Sequence, residues 1–502
     1  MRNQQQAISN MKFSIKYIFP YFLFLILFCF STLSVSASNN ISYVKQNNQT
    51  ITQKTISSST NQDKTFVLSE NHIFHFSSVL KGIGGIFFLL LLGFLFSKDR
   101  KNIPWKTVIV GLCLQLIFAI GLLYVPVISD FLEFTGHVFV KILDFSRAGS
   151  KFVFGSLADS NKFGYIFAFQ ILPTIVFFSA LTSLLFYWKI IQKIVKVLGW
   201  LFSRLMKISG AEALSVAGNI FVGMIESPLM IKEYLPKMNF SEMMLVMTGG
   251  LSTMAGGVLA AYIGILGGND PMLRIEFAKH LIAASVMAAP GAILFSKMIV
   301  PNPDPVNSKI SVDNTSIGKN SIESIINGTL QGIKLAATIA AMLIVFIALI
   351  NMINFCMIKF GEWTGLNNII SEYTDGKFTE CSIQLILGYI FAPFMWILGI
   401  CKHDITLVGQ LLGEKIIFNE FVGYLHFAEL KTAGAFLESK SIIMTTYILC
   451  GFANFGSVGM LIGGIGSIAH NQKATAARYG FLALVAGTLT ALMSATIIGM
   501  FQ

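Results

Sequence analysis

Apolar runs of about twenty residues, parted by short polar stretches that carry Lys and Arg, recur along most of this chain. Few folds accept such a pattern. A helix needs roughly 20 apolar residues to cross about 30 Å of hydrocarbon. Within lipid, only helices and closed barrels satisfy every backbone N–H and C=O. Composition points the same way. The chain is 54% hydrophobic and 12% charged, whereas soluble domains carry about 25% charge. It therefore reads as an all-α polytopic membrane protein surrounded by membrane lipid. The net charge of +11 does not indicate nucleic acid, because the basic residues cluster between apolar spans, as the positive-inside rule describes. The six Cys show no C-x-x-C or Cys/His spacing, and no G-x-S-x-G, P-loop or H-E-x-x-H occurs, so no enzyme is expected.

The N-terminus is a separate case. Lys12 and Lys16 precede the apolar run from Ile18 to Phe30, and Val35-Ser36-Ala37 offers a small-residue cleavage site. Residues 1–37 are expected to be a cleaved signal peptide. Residues 38–72, rich in Asn, Gln, Ser and Thr, should form an exported disordered tail.

Basic clusters orient the remaining spans. Lys98, Arg100, Lys101 and Lys106 place the end of the first mature span (76–96) in the cytoplasm. An outside segment is expected at 129–163. Lys189 to Lys207 make a basic amphipathic helix on the inner surface, with Ile190, Ile194, Val197, Leu198 and Leu201 as its apolar residues. Residues 213–238 are apolar but interrupted by Asn219, Glu226 and Pro228, and read as a re-entrant hairpin. A second broken segment lies around Asn419-Glu420. The expected count is about eight transmembrane helices plus two re-entrant hairpins. The regions are N-terminal helices and an inner interfacial helix at 73–210, and a first hairpin and transport repeat at 211–300. A cytoplasmic linker at 301–325 and a connecting helix with outer loop at 326–382 precede a second hairpin and repeat at 383–502. Both termini of the processed chain are expected outside, and the chain in the cell (inner) membrane.

The run from Met247 to Gly257 and the run from Leu449 to Gly459 are both rich in small residues, and each follows an acid-bearing broken segment. By the charge pattern, the first run starts from the inside and the second from the outside. Like units in opposite orientation, with unwound helices, are the mark of a transporter that alternates access around a central site.

Intramembrane acids are costly and persist where they bind something. Glu226 and Glu420 are the informative pair, and a carboxylate suits a substrate rich in hydroxyls. Asn219, Thr253, Asn454 and Ser457 are polar groups in the same broken segments. Freed carbonyls near Val222 and Met254 would join Asn219 and Thr253 in an oxygen cage suited to Na⁺. Phe452 offers a face for stacking or plain packing.

The stretch Gly218-Asn219-Ile220-Phe221-Val222-Gly223-Met224-Ile225-Glu226-Ser227-Pro228-Leu229, with Tyr234 to Met238 and Val246 to Gly250, resembles the concentrative nucleoside transporters, bacterial type. Asn419 to Tyr424 and Cys450 to Ser457 resemble their second-half motifs. The likeness spans about 80 to 500. It implies a homotrimer that takes up nucleosides by symport with Na⁺, or alternatively H⁺. It implies that Glu420, Asn454 and Ser457 hold the ribose, with Phe452 lining the site. Asn219, Val222, Thr253 and Met254 would form the cation site, and Glu226, Met224, Ile225 and Val258 would lie near the base. The chain departs from the family at Met224-Ile225, where members usually carry Gln and a hydroxyl residue. That departure leaves another ribosyl or base-like solute as the alternative cargo; a non-transporting receptor is the alternative from another class.

Overall fold

The computed structural model describes residues 76–163, 166–301, 318–374, 376 and 378–502. The expected signal peptide and exported tail, and most of the linker at 301–325, lie outside the described residues. Every regular element among the described residues is helical. The main helices are α1 (Phe76–Leu95), α2 (Trp105–Tyr124), α3 (Pro126–Phe154), α4 (Leu172–Tyr187), α5 (Ile190–Met206), α6 (Gly210–Asn219) and the short α7 (Glu226–Leu229). There follow α8 (Phe240–Ser252), α9 (Gly256–Gly267), α10 (Pro271–Ile299), α11 (Ser321–Thr364) and α12 (Leu366–Tyr373). The second half holds α13 (Ile383–Ile397), α14 (Ile405–Ile417), α15 (Glu420–Thr432), α16 (Ser439–Leu449), α17 (Phe455–Ile468) and α18 (Lys473–Gly499).

Seven helical segments are long and apolar enough to cross a membrane, counting α8 and α9 as one span. This is one fewer than the expected eight, because the apolar stretch 442–468 is divided into α16 and α17 by a break at 450–454, so neither piece reaches that length alone. Residues 129–163, read from sequence only as an outside segment, are mostly the 29-residue α3, which opens on Pro126 and stops at Gly155. The amphipathic helix forms as α5, bracketed by the left-handed Lys189 and Lys207. Its packed face is Ile191, Val195, Gly199, Phe202 and Met206, whereas Ile194, Val197 and Trp200 are exposed. The helix thus has two apolar faces, one for the protein and one available to lipid, with Lys193, Lys196 and Arg204 beside them.

Polar residues at helix starts explain much of the segmentation. Ser209 with Glu212, and Asn239 with Glu242, are capping boxes. Asp270, Asn320, Asn419 and Asn454 accept first-turn amides in the same way. Each such cap is worth about 1 kcal/mol.

The basic clusters meet at one end of the bundle. There the Lys98 amide donates to the Ile299 carbonyl (2.9 Å), and the Lys98 ammonium lies 4.9 Å from the Tyr479 ring centre. At the same end Thr107 donates to the Met206 carbonyl (3.1 Å) and Gln472 to the Met238 carbonyl (2.9 Å). The other end brings Lys440 to Ser78 (3.0 Å) and Tyr124 to Phe501 (ring centres 6.0 Å apart).

The two hairpins enter from opposite ends. The first, α6 to Met238, begins and ends at the basic end, where Glu212 pairs with Lys297, and Lys297 also bonds Ser241 (3.0 Å). The second, α14 and α15, is closed at the other end by Asp404, whose carboxylate accepts the amides of Leu437 (3.2 Å) and Glu438 (3.3 Å). Each hairpin is followed by a broken helix, α8–α9 or α16–α17, and then by a long interior helix, α10 or α18. This is the inverted repeat expected from sequence.

Candidate functional site

The two broken helices cross where they are unwound. Gly451, at φ +89°, lies so close to α8 that a Cβ there would stand 2.5 Å from the Ser252 carbonyl oxygen. Glycine is required twice over, by its dihedral and by this approach. The crossing is buried and polar, and the hairpin tips reach it from both ends.

A cavity of about 480 Å³ opens beside the crossing, within the range of small-molecule sites. The second repeat supplies Glu420, Phe452, Asn454 and Ser457 to its wall. Glu420 is the first residue of α15, where the helix dipole favours a carboxylate. Its Oε2 accepts from Asn454 Nδ2 (2.6 Å), and Asn454 Oδ1 accepts from the Ser457 amide (2.7 Å). Carboxylate and carboxamide are therefore fixed on one wall, with the Ser457 hydroxyl beside them. Such a row of acceptors and donors matches a polyhydroxylated ring.

The first repeat supplies Val222, Met224, Ile225, Glu226 and Val258 to the same cavity. Met224 is buried, its Cβ 3.0 Å from where a Cβ on Gly250 would lie. Ile225 stands likewise against Gly464 of α17. Both apolar residues seat the hairpin tip on neighbouring helices as well as lining the cavity, which gives a packing reason for their chemistry.

Asn219, Thr253 and Met254 are not on the cavity wall; they are buried behind it. The Thr253 hydroxyl donates to the Gly249 carbonyl (2.8 Å), and Asn219 Nδ2 would stand 3.2 Å from a Cβ at Gly249. Both therefore meet at the last turn of α8. Neither amide atom of Asn219 has a hydrogen-bond partner, although the residue is 1% exposed. The carbonyls of Val222 and Met254 accept none of the backbone hydrogen bonds. Buried polar groups are ordinarily paired. Neutral oxygens gathered from two stretches, 219–222 and 253–254, are the donor set of a hard monovalent cation, so the residues fit Na⁺. Among the described residues no cluster of three or more His, Cys, Asp or Glu offers a site for a more strongly binding metal.

The corresponding place in the second repeat is filled. Lys415, in the last turn of α14 and fully buried, donates to the carbonyls of Ile448 (2.9 Å) and Cys450 (2.8 Å) at the break of α16. Sequence reasoning missed Lys415. Its signal was a lone Lys four residues before the Asn419-Glu420 motif in an apolar arm.

It also missed a third wall, made by α4 and α11. Gly328 and Gly332 let α11 lie directly on α4: a Cβ on either would come within 3 Å of Ser183, Ser179 or their neighbours. This close packing turns Gln331 and Thr338 into the cavity. Gln331 Nε2 donates to Glu226 Oε1 (3.2 Å). The G-x-x-x-G spacing 328–332, followed by Ala336, was the readable signal.

Three family models match consecutive parts of the chain: "Na+ dependent nucleoside transporter N-terminus" over 84–157, "Nucleoside recognition" over 168–269 and "Na+ dependent nucleoside transporter C-terminus" over 280–499. An uncharacterized transporter of Haemophilus influenzae is 39% identical over 84% of this chain and 98% of its own length. Nucleoside permease NupC of Helicobacter pylori is 35% identical, covering 84% and 98%. The structure of CNTnw in an inward-facing substrate-bound state superposes with a TM-score of 0.77 at 35% identity, over 84% of this chain and 98% of that one.

Proposed function

The chain belongs to the concentrative, Na⁺-dependent nucleoside transporter family, and from that premise we propose that it is a symporter coupling nucleoside uptake to Na⁺. The observation that carries this is the adjacency of two sites in one crossing. Glu420, Asn454, Ser457 and Phe452 face a cavity large enough for a nucleoside, while behind its opposite wall the buried Asn219 amide is left unpaired.

In this reading the ribose hydroxyls bond Glu420, Asn454 and the Ser457 hydroxyl, Phe452 packs on the sugar or base, and the base lies against Met224, Ile225, Glu226 and Val258. Na⁺ is a cotransported substrate held by Asn219, the Thr253 hydroxyl and the carbonyls of Val222 and Met254. Coupling follows from connectivity. The cation ligands at 219–222 and 253–254 adjoin Met224–Glu226 and Val258, so ordering the first set with an ion orders the second against the base. An ion acts on a two-state equilibrium only through differential affinity, and here the affinity difference is whether the two oxygen-bearing stretches converge. Alternating access then moves the hairpins about the crossing. The protein acts as a homotrimer in the inner membrane, its signal peptide removed and both termini outside.

Uptake of labelled uridine and adenosine into proteoliposomes tests the reading. Accumulation under an inward Na⁺ gradient, lost when choline replaces Na⁺, is expected. Uptake that follows a pH gradient and ignores Na⁺ would transfer coupling to protons and direct attention to Glu226. Met224 and Ile225 favour a second reading, in which another ribosyl or base-like solute is carried. Competition by such a solute with no competition by any nucleoside would establish it.

A further inference from the structure

Accepting the nucleoside reading, we propose that Gln331 of α11, paired with Glu226, reads the edge of the base and replaces the polar side chains absent at Met224 and Ile225. The geometry begins with the helix. Gln331, Leu335, Thr338 and Met342 recur at helical spacing and line the cavity as one stripe. Beside that stripe Gly328 and Gly332 hold α11 against α4, so the stripe cannot turn away without opening a tight helix pair.

The carboxamides of the wall differ in what they have left to offer. Asn454 is committed through both ends of its amide, to Glu420 and to the Ser457 amide. Asn419 uses its oxygen to cap α15. Gln331 gives one N–H to Glu226 Oε1; its carbonyl and its second N–H remain. The Glu226 carboxylate is in turn fixed against the hairpin tip, since a Cβ on Gly223 would fall on its Oε2. Gln331 and Glu226 thus present acceptor oxygens and an N–H side by side, on a wall otherwise apolar at Leu229, Leu335 and Ile339.

Acceptors beside a donor suit a base that carries an amino group next to a ring nitrogen. A base without any edge N–H leaves the acceptors unpaired when water is excluded, and buried unpaired groups are what give polar sites their selectivity. The site should therefore favour adenosine over purine riboside, which differs by the missing 6-amino group.

The test is the ratio of uptake efficiency (kcat/KM) for adenosine and purine riboside in proteoliposomes. The parent should favour adenosine by about tenfold or more, the worth of one charge-assisted hydrogen bond. Gln331→Leu should reduce the ratio to within about threefold. Discrimination between adenosine and 2′,3′-dideoxyadenosine, which reports the ribose wall, should stay as in the parent, and so should the Na⁺ concentration for half-maximal uptake. Gln331→Met, which keeps the length of the side chain but offers neither the acceptor oxygen nor the N–H, should lose discrimination in the same way, and serves if the Leu variant is not recovered folded. An adenosine preference unchanged in either folded variant overturns the role of Gln331. So does a parent that transports both purines equally. If no nucleoside is transported or competes, the nucleoside reading itself has failed, an outcome distinct from either of these.

Discussion

The two repeats solve the same structural problem with different chemistry. Each breaks a membrane helix and so frees carbonyls in a buried place, where an unpaired group costs about 1–3 kcal/mol. The second repeat covers its break from within: the Lys415 ammonium bonds the carbonyls of Ile448 and Cys450. The first repeat covers its break only in part: the Thr253 hydroxyl bonds the Gly249 carbonyl. Asn219 is unpaired at both ends of its amide, and the carbonyls of Val222 and Met254 accept none of the backbone hydrogen bonds outside the helices. One break carries a tethered cation; in the proposed reading the other is completed by an exchangeable one. The two halves therefore differ in what their broken helices leave unpaired, and the proposed reading assigns the ion to the half left open.

The contrast is sharpest for Lys415. Lys415→Met keeps the length of the side chain but strands two buried carbonyls, at about 1–3 kcal/mol each. The expected outcome is loss of uptake together with an apparent melting temperature in detergent lowered by about 5 °C or more. If the variant melts and transports like the parent, the tethered cation is not what holds the second break.

Next in size is Glu420→Gln. The carboxylate would be replaced by an amide while the Asn454 and Ser457 geometry is kept. Loss of a charged hydrogen bond is worth about 1.5–3 kcal/mol, so nucleoside affinity should fall about 10–150-fold with thermal stability near that of the parent. Affinity left unchanged in a calorimetric titration would remove Glu420 from the substrate wall.

The first break should respond in the opposite manner to the second. Asn219→Ala removes an amide that has no partner in the protein, so melting without Na⁺ should not fall. The Na⁺ concentration for half-maximal uptake should rise about tenfold, one lost ligand interaction. Destabilisation in the absence of Na⁺ would mean that this amide serves folding, as Lys415 does, and the two halves would no longer differ.

The smallest effect belongs to the tip of the first hairpin. Met224→Gln with Ile225→Thr should sharpen selection among bases without altering ribose recognition. Apolar fit separates ligands by only about 10–200-fold, so polar groups at this tip add to whatever Gln331 and Glu226 already discriminate. A competition panel of nucleosides measures the change.

Much of this difference could be read from sequence on one side only. Asn219, Glu226, Glu420 and Asn454 stood out because each is a polar residue in an apolar run, and lipid makes such residues conspicuous. The opposed entry of the hairpins followed from the basic clusters, which the fold gathers at one end. Lys415 was harder to see, because its partners are backbone carbonyls thirty-odd residues away, and a carbonyl leaves no mark in a sequence. Gln331 and Thr338 were harder for another reason. Their orientation depends on how α11 seats on α4 through Gly328 and Gly332, and a lone Gln in a long apolar helix has many possible partners. The division of residues 442–468 was legible as a small-residue run, yet its position inside the crossing became plain only with Gly451 resting on the α8 carbonyls.

The proposal stands or falls on whether the first repeat holds the exchangeable cation and whether that cation orders the nucleoside site. Linkage makes this measurable: if Na⁺ tightens nucleoside binding by some factor, the nucleoside tightens Na⁺ binding by the same factor. The experiment is a titration of the purified protein with nucleoside in Na⁺ and in choline, for the parent and for Asn219→Ala. Tighter binding in Na⁺ is expected for the parent, and no difference between the salts for Asn219→Ala. Equal affinity in both salts for the parent, or an undiminished Na⁺ effect in Asn219→Ala, would contradict the assignment of the cation to the first repeat.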